Sequence, residues 1–286
     1  NNTDINSPNQ NGTSQNLVQD FELYKKPQFI TNFYKGDSVN ALAKFAEKLY
    51  QLKSTKKGKI RIAYFGDSMI EGDLLTQTLR KLLQKEFGGY GVGFLPMHSK
   101  VAGFRQTATV KSSGWETINF MDKDAKNMYI SGFSFSGLGN GSFTDRTVTT
   151  PPSLQKFLIY GQSNGGSIDY DGTSIHLQGN DLVNAQLLSN NNATSFEFKS
   201  NSATTPFYGV SFESENGIIL DNFSFRGITG VEFRKIDEDF LKAVQSANHY
   251  DLIVMQYGVN LLFRPNDSDY SYYTKNMTSV LEKFIS

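Results

Sequence analysis

The sequence predicts an α/β fold with an all-β domain inserted into it. Three short apolar runs, at 59–66, 217–222 and 251–257, have the length and composition of strands in a buried parallel sheet. Segments with apolar residues at three-to-four spacing lie around these runs, as expected of amphipathic helices. Between 99 and 215 that spacing gives way to short alternating runs separated by Gly, Asn, Asp and Ser, which is typical of a β-sandwich.

These changes of pattern predict the domain limits. Residues 21–98 and 216–286 form the discontinuous α/β core, and residues 99–215 form the insert. Residues 1–20 are rich in Asn, Ser, Thr and Gln, and such a segment cannot bury enough apolar surface to order itself. Such a segment is typical either of a tether that remains after an export signal is removed or of a disordered terminus of a cytosolic protein.

The helices and strands of the core follow one another along the chain. The pattern predicts a helix over Val39–Leu52, the first core strand at Lys59–Gly66 and a second helix over Leu74–Phe87. Gly88 and Gly89 end that helix. The glycines up to Gly93 follow a helix, whereas a phosphate loop runs from strand through glycines into a helix, so we interpret them as a backbone-permissive connection.

The second half of the core repeats the alternation of strand and helix. The remaining elements are predicted at Gly217–Asn222 (strand), Ile236–Asn248 (helix, capped by Asp237), Asp251–Tyr257 (strand) and Tyr273–Phe284 (helix). In the insert, Asp171-Gly172 and Asn164-Gly165-Gly166 have the chemistry of tight turns. Aromatic residues of the insert form either a sugar-binding face or part of the core: Trp115, Tyr129, Tyr160, Tyr170 and Phe207.

Composition excludes several classes of function. The 28 basic residues balance the 28 acidic ones, so no field attracts nucleic acid or an anionic membrane. With no cysteine, the sequence contains no thiol nucleophile and no thiolate metal site. His98, His176 and His249 lie far apart without metal-ligand spacing, so we expect no metal and no cofactor. No apolar run is long enough for a membrane span.

Ser68 lies where the first core strand turns into a helix. The first backbone N–H groups of a helix have no internal partner, so they can face a negative charge that develops beside the serine hydroxyl. This predicts a nucleophile, although Asp67 or Ser68 as a simple helix cap remains open. Gly36-Asp37-Ser38 repeats the tripeptide without a preceding buried strand, so we interpret Ser38 as a cap.

Each core strand leads into a segment that contains a residue type used in acyl transfer. Gly66-Asp67-Ser68 ends the first, the 222–230 loop with Gly227 follows the second, and Gly258-Val259-Asn260 follows the third. Because parallel strands bring these ends to one edge of a sheet, we expect a serine, a glycine N–H and an asparagine side chain to meet there. Acyl transfer requires such a nucleophile and donors for the oxyanion.

These three blocks resemble those of the SGNH (GDSL) hydrolase family, in the family's order. The glycines after the first helix and the β-rich insert are similar to bacterial O-acetylesterases that act on peptidoglycan, whose insert resembles a carbohydrate-binding module. The resemblance implies a three-layer core with Ser68 as nucleophile and with the Ser68 backbone, Gly227 and Asn260 as the oxyanion hole. Asp67 and Gly258 are expected to contribute to substrate binding.

Two departures from the family stand out. Leu261 replaces the aspartate that often follows the asparagine, and no Asp-x-x-His motif, the family's source of the general base, follows Asn260. His249 precedes a core strand and should lie at the opposite end of the sheet from Ser68, His98 starts the insert, and His176 is expected in an insert strand. We therefore expect a C-terminally incomplete core, whose His/Asp pair comes from further chain or another fragment.

The function expected is a serine esterase, exported to the periplasm, envelope or cell exterior, that removes O-acetyl groups from a polysaccharide such as peptidoglycan. The alternative is a non-catalytic carbohydrate-binding protein on a hydrolase-like scaffold, which the absence of a base favours. A lipase or thioesterase would need an apolar acyl groove, and the polar composition of the insert disfavours one.

Overall fold

The computed structural model describes residues 42–99, 103–263 and 269–285. The chain divides into a unit at 1–47 and a unit at 48–286, and only residues 42–47 of the first are described. The predicted tether at 1–20 and the cap at Ser38 lie outside the described residues.

The four predicted helices are present within a few residues of their expected limits. They are α1 (Ala43–Thr55), α2 (Thr76–Phe87), α3 (Glu238–Asn248) and α4 (Ser271–Ile285). Short 3₁₀ helices cover Ser68–Asp73, Val231–Lys235 and Val259–Leu261. The helix α2 begins later than Leu74 because the chain first forms the 3₁₀ turn, which is kinked at Gly72 (φ 71°). No helix of the described residues has the length and apolar character that crossing a membrane requires.

Fourteen strands form three sheets in the described part of the chain. They are β1 (Lys59–Gly66), β2 (Gly93–Pro96), β3 (Ala108–Ser113), β4 (Glu116–Asn119), β5 (Phe133–Ser136), β6 (Asn140–Asp145), β7 (Leu154–Tyr160), β8 (Ser167–Tyr170), β9 (Thr173–His176), β10 (Asn184–Asn191), β11 (Ser195–Ser200), β12 (Phe207–Glu213), β13 (Gly217–Ser224) and β14 (Tyr250–Gln256).

The three predicted core strands form one parallel sheet in the order β13-β1-β14. Gly66 at the end of β1 is opposite both Ser224 and Gln256, so the three carboxyl ends lie at one edge. Strands β1 and β13 are largely buried, as expected. Strand β14 is only half-buried, and Ile253 is 39% exposed. The prediction of burial on both faces is wrong there: among the described strands β14 pairs only with β1.

The two antiparallel sheets share one aromatic core, as the predicted sandwich requires. Their strand orders are β10-β7-β12-β5-β4, with β2 also paired to β12, and β3-β6-β11-β8-β9. Phe196 packs on Phe212 and Phe198 on Phe207, which joins the sheets. Strand β2 lies within the predicted core segment 21–98 yet pairs with the antiparallel sheet. The domain limits at 98/99 and 215/216 stay predictions.

A buried ionic network joins the parallel sheet to β12. Arg61 Nη2 donates to Glu213 Oε1 at 2.6 Å, and Arg61 Nη1 donates to Asp221 Oδ2 at 3.1 Å. Lys59 Nζ lies 2.6 Å from Glu213 Oε2, and the Tyr250 hydroxyl donates to Asp221 Oδ2 at 2.8 Å. The network therefore ties β1 to both β12 and β13 at the amino end of the parallel sheet.

The connection after α2 requires glycine because its backbone passes close to β12 and β13, which agrees with the predicted backbone-permissive connection. Gly91 has φ 104°, and a Cβ there would lie 2.9 Å from the Phe212 carbonyl carbon. Gly93 has φ 74° and lies against the Asp221 carboxylate, which accepts a hydrogen bond from the Phe94 N–H at 2.8 Å. Side chains at these glycines would force the chain away from both β12 and β13.

Candidate active site

Ser68 follows Asp67, the first residue after β1, and opens the 3₁₀ helix that leads into α2. Its side chain is half-buried, whereas the flanking Asp67 is 1% exposed and Met69 is 59% exposed. The Asp67 carboxylate caps this turn, because its Oδ1 accepts a hydrogen bond from the Met69 N–H at 2.9 Å. Of the two residues considered as helix caps, Asp67 is therefore the one that caps this turn. The Ser68 hydroxyl is not used as the cap.

Asn260 connects the three segments that follow the parallel strands. Its Nδ2 donates to the Ile228 carbonyl at 2.8 Å and to Asp67 Oδ2 at 3.3 Å. Asp67 immediately precedes Ser68, and Ile228 immediately follows Gly227. The fold thus brings together the neighbours of two predicted site residues around the side chain of the third.

Gly227 and Gly258 both adopt backbone conformations that favour glycine. Gly227 is exposed with φ 83°, Gly258 is half-buried with φ 132°, and no atom lies within 4 Å of the position that a Cβ would take at either. Only main-chain atoms can contact a ligand there. The roles of Ser68, Gly227 and Asn260 in catalysis, and of Asp67 and Gly258 in substrate binding, remain predictions.

Tyr257 directly follows β14 at this edge of the sheet. Its hydroxyl is buried and has no hydrogen-bond partner among the described residues. Burial, with the nearby charges of Glu232 and Asp67, raises its pKa well above the usual value. Tyr257 therefore remains a neutral phenol beside the Asp67 carboxylate.

A cleft of about 670 Å³ lies next to the turn that begins at Ser68, although Ser68 itself does not line it. One wall contains Glu71 and Gly72, from the turn that begins at Ser68, and residues 222–226 at the end of β13. The rest of the lining comes from the antiparallel sheets and their loops, and it includes four aromatic residues among polar and small ones: Phe94, Trp115, Phe133 and Phe135. A cleft of this size that combines apolar and polar side chains can hold a small molecule.

The aromatic residues predicted for a sugar face divide between core and cleft. Tyr129, Tyr160 and Phe207 are fully buried, so the prediction of a sugar-binding surface is wrong for them and the core interpretation is confirmed. Tyr170 is half-buried, and its hydroxyl bonds Ser189 at 2.5 Å. Trp115 is half-buried and lines the cleft, with its indole N–H donating to the Asn140 carbonyl at 3.1 Å.

The three histidines occupy the places that the sequence predicts. His249 precedes β14, at the end of the parallel sheet opposite Ser68, and His176 is exposed on β9. His98 is exposed at the mouth of the cleft, with Nδ1 3.1 Å from the Ser112 hydroxyl. Among the described residues no three His, Cys, Asp or Glu side chains are grouped as metal ligands are.

Sequence reasoning missed the charged residues of the cleft wall. Arg226 pairs with Glu71, and Arg105 lies 3.4 Å from the buried carboxylate of Asp73. Arg105 belongs to the irregular segment before β3, where no periodic pattern indicates which way a side chain faces. Asp73, in contrast, follows the Gly-Asp-Ser block by only five residues.

No family model and no curated protein matches the chain. A solved structure of a peptidoglycan O-acetylesterase is similar, with a TM-score of 0.69 and 20% identity over 87% of this chain and 70% of that one. The chain shares that fold. A family 35 carbohydrate-binding module from Clostridium thermocellum matches more weakly, with a TM-score of 0.25 and 10% identity over 44% of this chain and 96% of that one. A likeness at this level adds nothing to the fold.

Proposed function

We propose that this protein is a serine esterase of the SGNH type that removes O-acetyl groups from a polysaccharide such as peptidoglycan. The observation that carries the proposal is the contact of Asn260 with Asp67 and Ile228, because it joins the segments of Ser68 and Gly227. The fold shared with a peptidoglycan O-acetylesterase supports it.

In this mechanism the Ser68 hydroxyl attacks the acetyl carbonyl, and the alcohol of the sugar leaves. Water then attacks the acetyl-serine, which releases acetate and restores Ser68. The Ser68 N–H, the Gly227 N–H and the Asn260 amide hold the oxyanion of each tetrahedral intermediate. Both hydrogens of Asn260 Nδ2 are already engaged, so the longer bond, 3.3 Å to Asp67, is the one that the oxyanion replaces.

Asp67 acts in this scheme by positioning rather than by direct contact with substrate. It is buried, and its two oxygens accept from Met69 N–H and Asn260 Nδ2. The Met69 bond fixes the turn that presents Ser68, and the Asn260 bond holds the amide in place until the oxyanion replaces it. Gly258 is placed where its φ of 132° turns the chain from β14 into the 3₁₀ helix of Asn260.

A serine hydroxyl needs an oriented base to take its proton. The resemblance implies an Asp-x-x-His motif, and no histidine follows Asn260 in the sequence. His249 is at the wrong end of the sheet and His98 bonds Ser112. We therefore include in the proposal a His/Asp pair supplied from outside these residues, by further sequence or by a second polypeptide. A site of action in the cell envelope or outside the cell follows from the substrate.

The test measures p-nitrophenyl acetate hydrolysis by protein expressed from its complete reading frame. Ser68→Ala should lower kcat at least a thousandfold, and Asn260→Ala about a hundredfold, because one oxyanion donor is lost. Ser38→Ala is the matched control, since it alters the second Gly-Asp-Ser tripeptide, and it should leave kcat unchanged. Equal rates for Ser68→Ala and the parent would remove the esterase and leave a carbohydrate-binding protein.

The aromatic walls of the cleft make a lipase or thioesterase a specific competitor. A series of p-nitrophenyl esters from acetate to octanoate distinguishes the two. An acetylesterase should have its highest kcat/KM for acetate. A rise of kcat/KM with chain length would instead indicate that the cleft holds an acyl chain.

A further inference from the structure

The loop that carries Gly227 is held at both of its ends. We call residues 225–230, which follow β13, the Gly227 loop. Arg226 and Gly227 are exposed, whereas the other four residues of the loop are buried. At the start of the loop the Phe225 N–H donates to the Gly66 carbonyl at 3.0 Å, which attaches the loop to the end of β1. The Gly227 N–H itself donates to no described residue, so it is available to a ligand.

Thr229, two residues after Gly227, is fixed through both its N–H and its carbonyl. The Tyr273 hydroxyl on α4 donates to the Thr229 carbonyl at 2.9 Å. Glu232 Oε2 accepts from the Thr229 N–H at 3.1 Å and lies 3.4 Å from the Thr229 hydroxyl. Because Thr229 is 7% exposed, the loss of either partner would leave a buried peptide group without its hydrogen bond.

Helix α4 lies directly against the end of the Gly227 loop. Gly230 has φ 94°, and a Cβ there would lie 2.9 Å from Tyr257 Cδ2 and 3.1 Å from the Met277 side chain. Met277 is one helical turn after Tyr273, so the packing contact and the hydrogen bond come from one face of α4. Burial and the charge of Glu232 raise the pKa of Tyr273, so its hydroxyl keeps its proton and can donate.

The bonds at Thr229 also determine where the candidate oxyanion donors lie. In the proposed mechanism Asn260 keeps its 2.8 Å bond to the Ile228 carbonyl, so the Ile228 peptide connects the Asn260 amide to the Gly227 N–H. Oxyanion donors act only within a narrow range of distance from the oxyanion, and a displacement of about 1 Å can cost up to about a hundredfold in rate. The loop cannot move by that much while both bonds at Thr229 are intact.

We propose that Tyr273 and Glu232 are positioning residues, which hold the Gly227 loop so that the Gly227 N–H points at the oxyanion. This inference rests on the proposed function, because Gly227 is an oxyanion donor only in that scheme. Neither side chain contacts the substrate, since each acts through Thr229. Helix α4 thereby takes part in the reaction without supplying a catalytic residue.

The test measures kcat and KM for p-nitrophenyl acetate with protein expressed from its complete reading frame. Tyr273→Phe keeps the ring but removes the hydroxyl, and it should lower kcat about tenfold with KM unchanged. The loss is smaller than for Asn260→Ala, because Glu232 still holds Thr229 and no oxyanion donor is removed. Tyr272→Phe is the matched control, since Tyr272 is 61% exposed on the same helix, and it should keep the parental kcat.

Two variants of Glu232 distinguish positioning from general support of the fold. In Glu232→Gln the amide oxygen can still accept from the Thr229 N–H, so kcat should stay within about twofold of the parent. Glu232→Ala removes the acceptor and should lower kcat about tenfold. This pair provides the test if Tyr273→Phe fails to fold.

Amide hydrogen exchange followed by mass spectrometry reports on the loop without catalysis. Peptides that cover residues 225–230 should exchange faster in Tyr273→Phe and Glu232→Ala than in the parent, and at the parental rate in Tyr272→Phe. Peptides that cover β1 should exchange alike in all of these proteins, because a local change leaves the core closed.

Parental kcat in both Tyr273→Phe and Glu232→Ala overturns this proposal. A loss of kcat without faster exchange at residues 225–230, or with equally faster exchange in β1, also overturns it. Ser68→Ala, measured in the same series, distinguishes this failure from failure of the proposed function. If Ser68→Ala is inactive while Tyr273→Phe and Glu232→Ala match the parent, only the positioning role is wrong. If Ser68→Ala matches the parent, the serine esterase is wrong and the positioning role is wrong with it.

Discussion

Glu213→Gln tests whether the ionic network holds the parallel sheet to β12. Glu213 is 2% exposed and accepts hydrogen bonds from Lys59 and Arg61, both at 2.6 Å. The amide of glutamine keeps the size of the side chain but removes its charge. Arg61 retains Asp221 at 3.1 Å, so it is left with one acid instead of two.

The expected cost follows from the titration of Glu213. Burial would raise its pKa, but the charges of Arg61 and Lys59 outweigh burial and lower the pKa from 4.5 to about 2. A shift of that size corresponds to about 3 kcal/mol of stability at neutral pH. Because the folded-state pKa is lowered, this stability is complete above the unfolded pKa and is lost as the pH falls towards 2. About half should remain at pH 3.

Urea unfolding followed by tryptophan fluorescence or circular dichroism measures the difference between parent and Glu213→Gln at pH 7, 5 and 3. The matched control is Glu86→Gln, since Glu86 pairs with Lys53 on the exposed face of α2 and its loss should not be measurable. A cost for Glu213→Gln no greater than for Glu86→Gln would refute the argument. So would a cost that stays constant from pH 7 to pH 3.

Two further predictions concern backbone contact and a buried lysine. Gly91→Ala should lower the free energy of unfolding by about 3 kcal/mol, because Gly91 has a positive φ and a Cβ there would overlap with Phe212. Gly172→Ala, in an open turn, should lower it by about 1 kcal/mol in the same urea titration. Burial lowers the pKa of Lys156 to about 8, so the unfolded chain binds more protons above pH 8 and stability should rise from pH 8 to 9.5. Lys156→Met should lack that rise, and a rise of equal size in both proteins would contradict the assignment.

The sequence predicts the elements whose patterns are local. The runs at β1 and β13 are apolar because both faces are covered, and the turn at Asp171-Gly172 is readable because both residues have positive φ in the β8–β9 hairpin. Strands such as β6 (Asn140–Asp145) and β10 (Asn184–Asn191) are harder to predict, because Gly, Asn and Ser there hide the alternation that their pairing creates.

The candidate site was likewise predictable only in part from the sequence. Ser68 and Asn260 are identifiable because each follows a predicted strand, and parallel pairing then places the strand ends together. The engagement of both Asn260 amide hydrogens depends on long-range contacts with Asp67 and Ile228, which no local pattern encodes. Arg105 is harder still, since it lies in an irregular segment and its ion pair with Asp73 depends on the fold.

Strand β1 connects the ionic network to the candidate active site. Its amino end carries Lys59 and Arg61 of the ionic network, and its carboxyl end leads to Ser68. Five residues separate Arg61 from Gly66, which at the rise of a strand is about 17 Å. The ionic network and the candidate nucleophile therefore lie at opposite ends of one strand, and Glu213→Gln and Ser68→Ala test them separately.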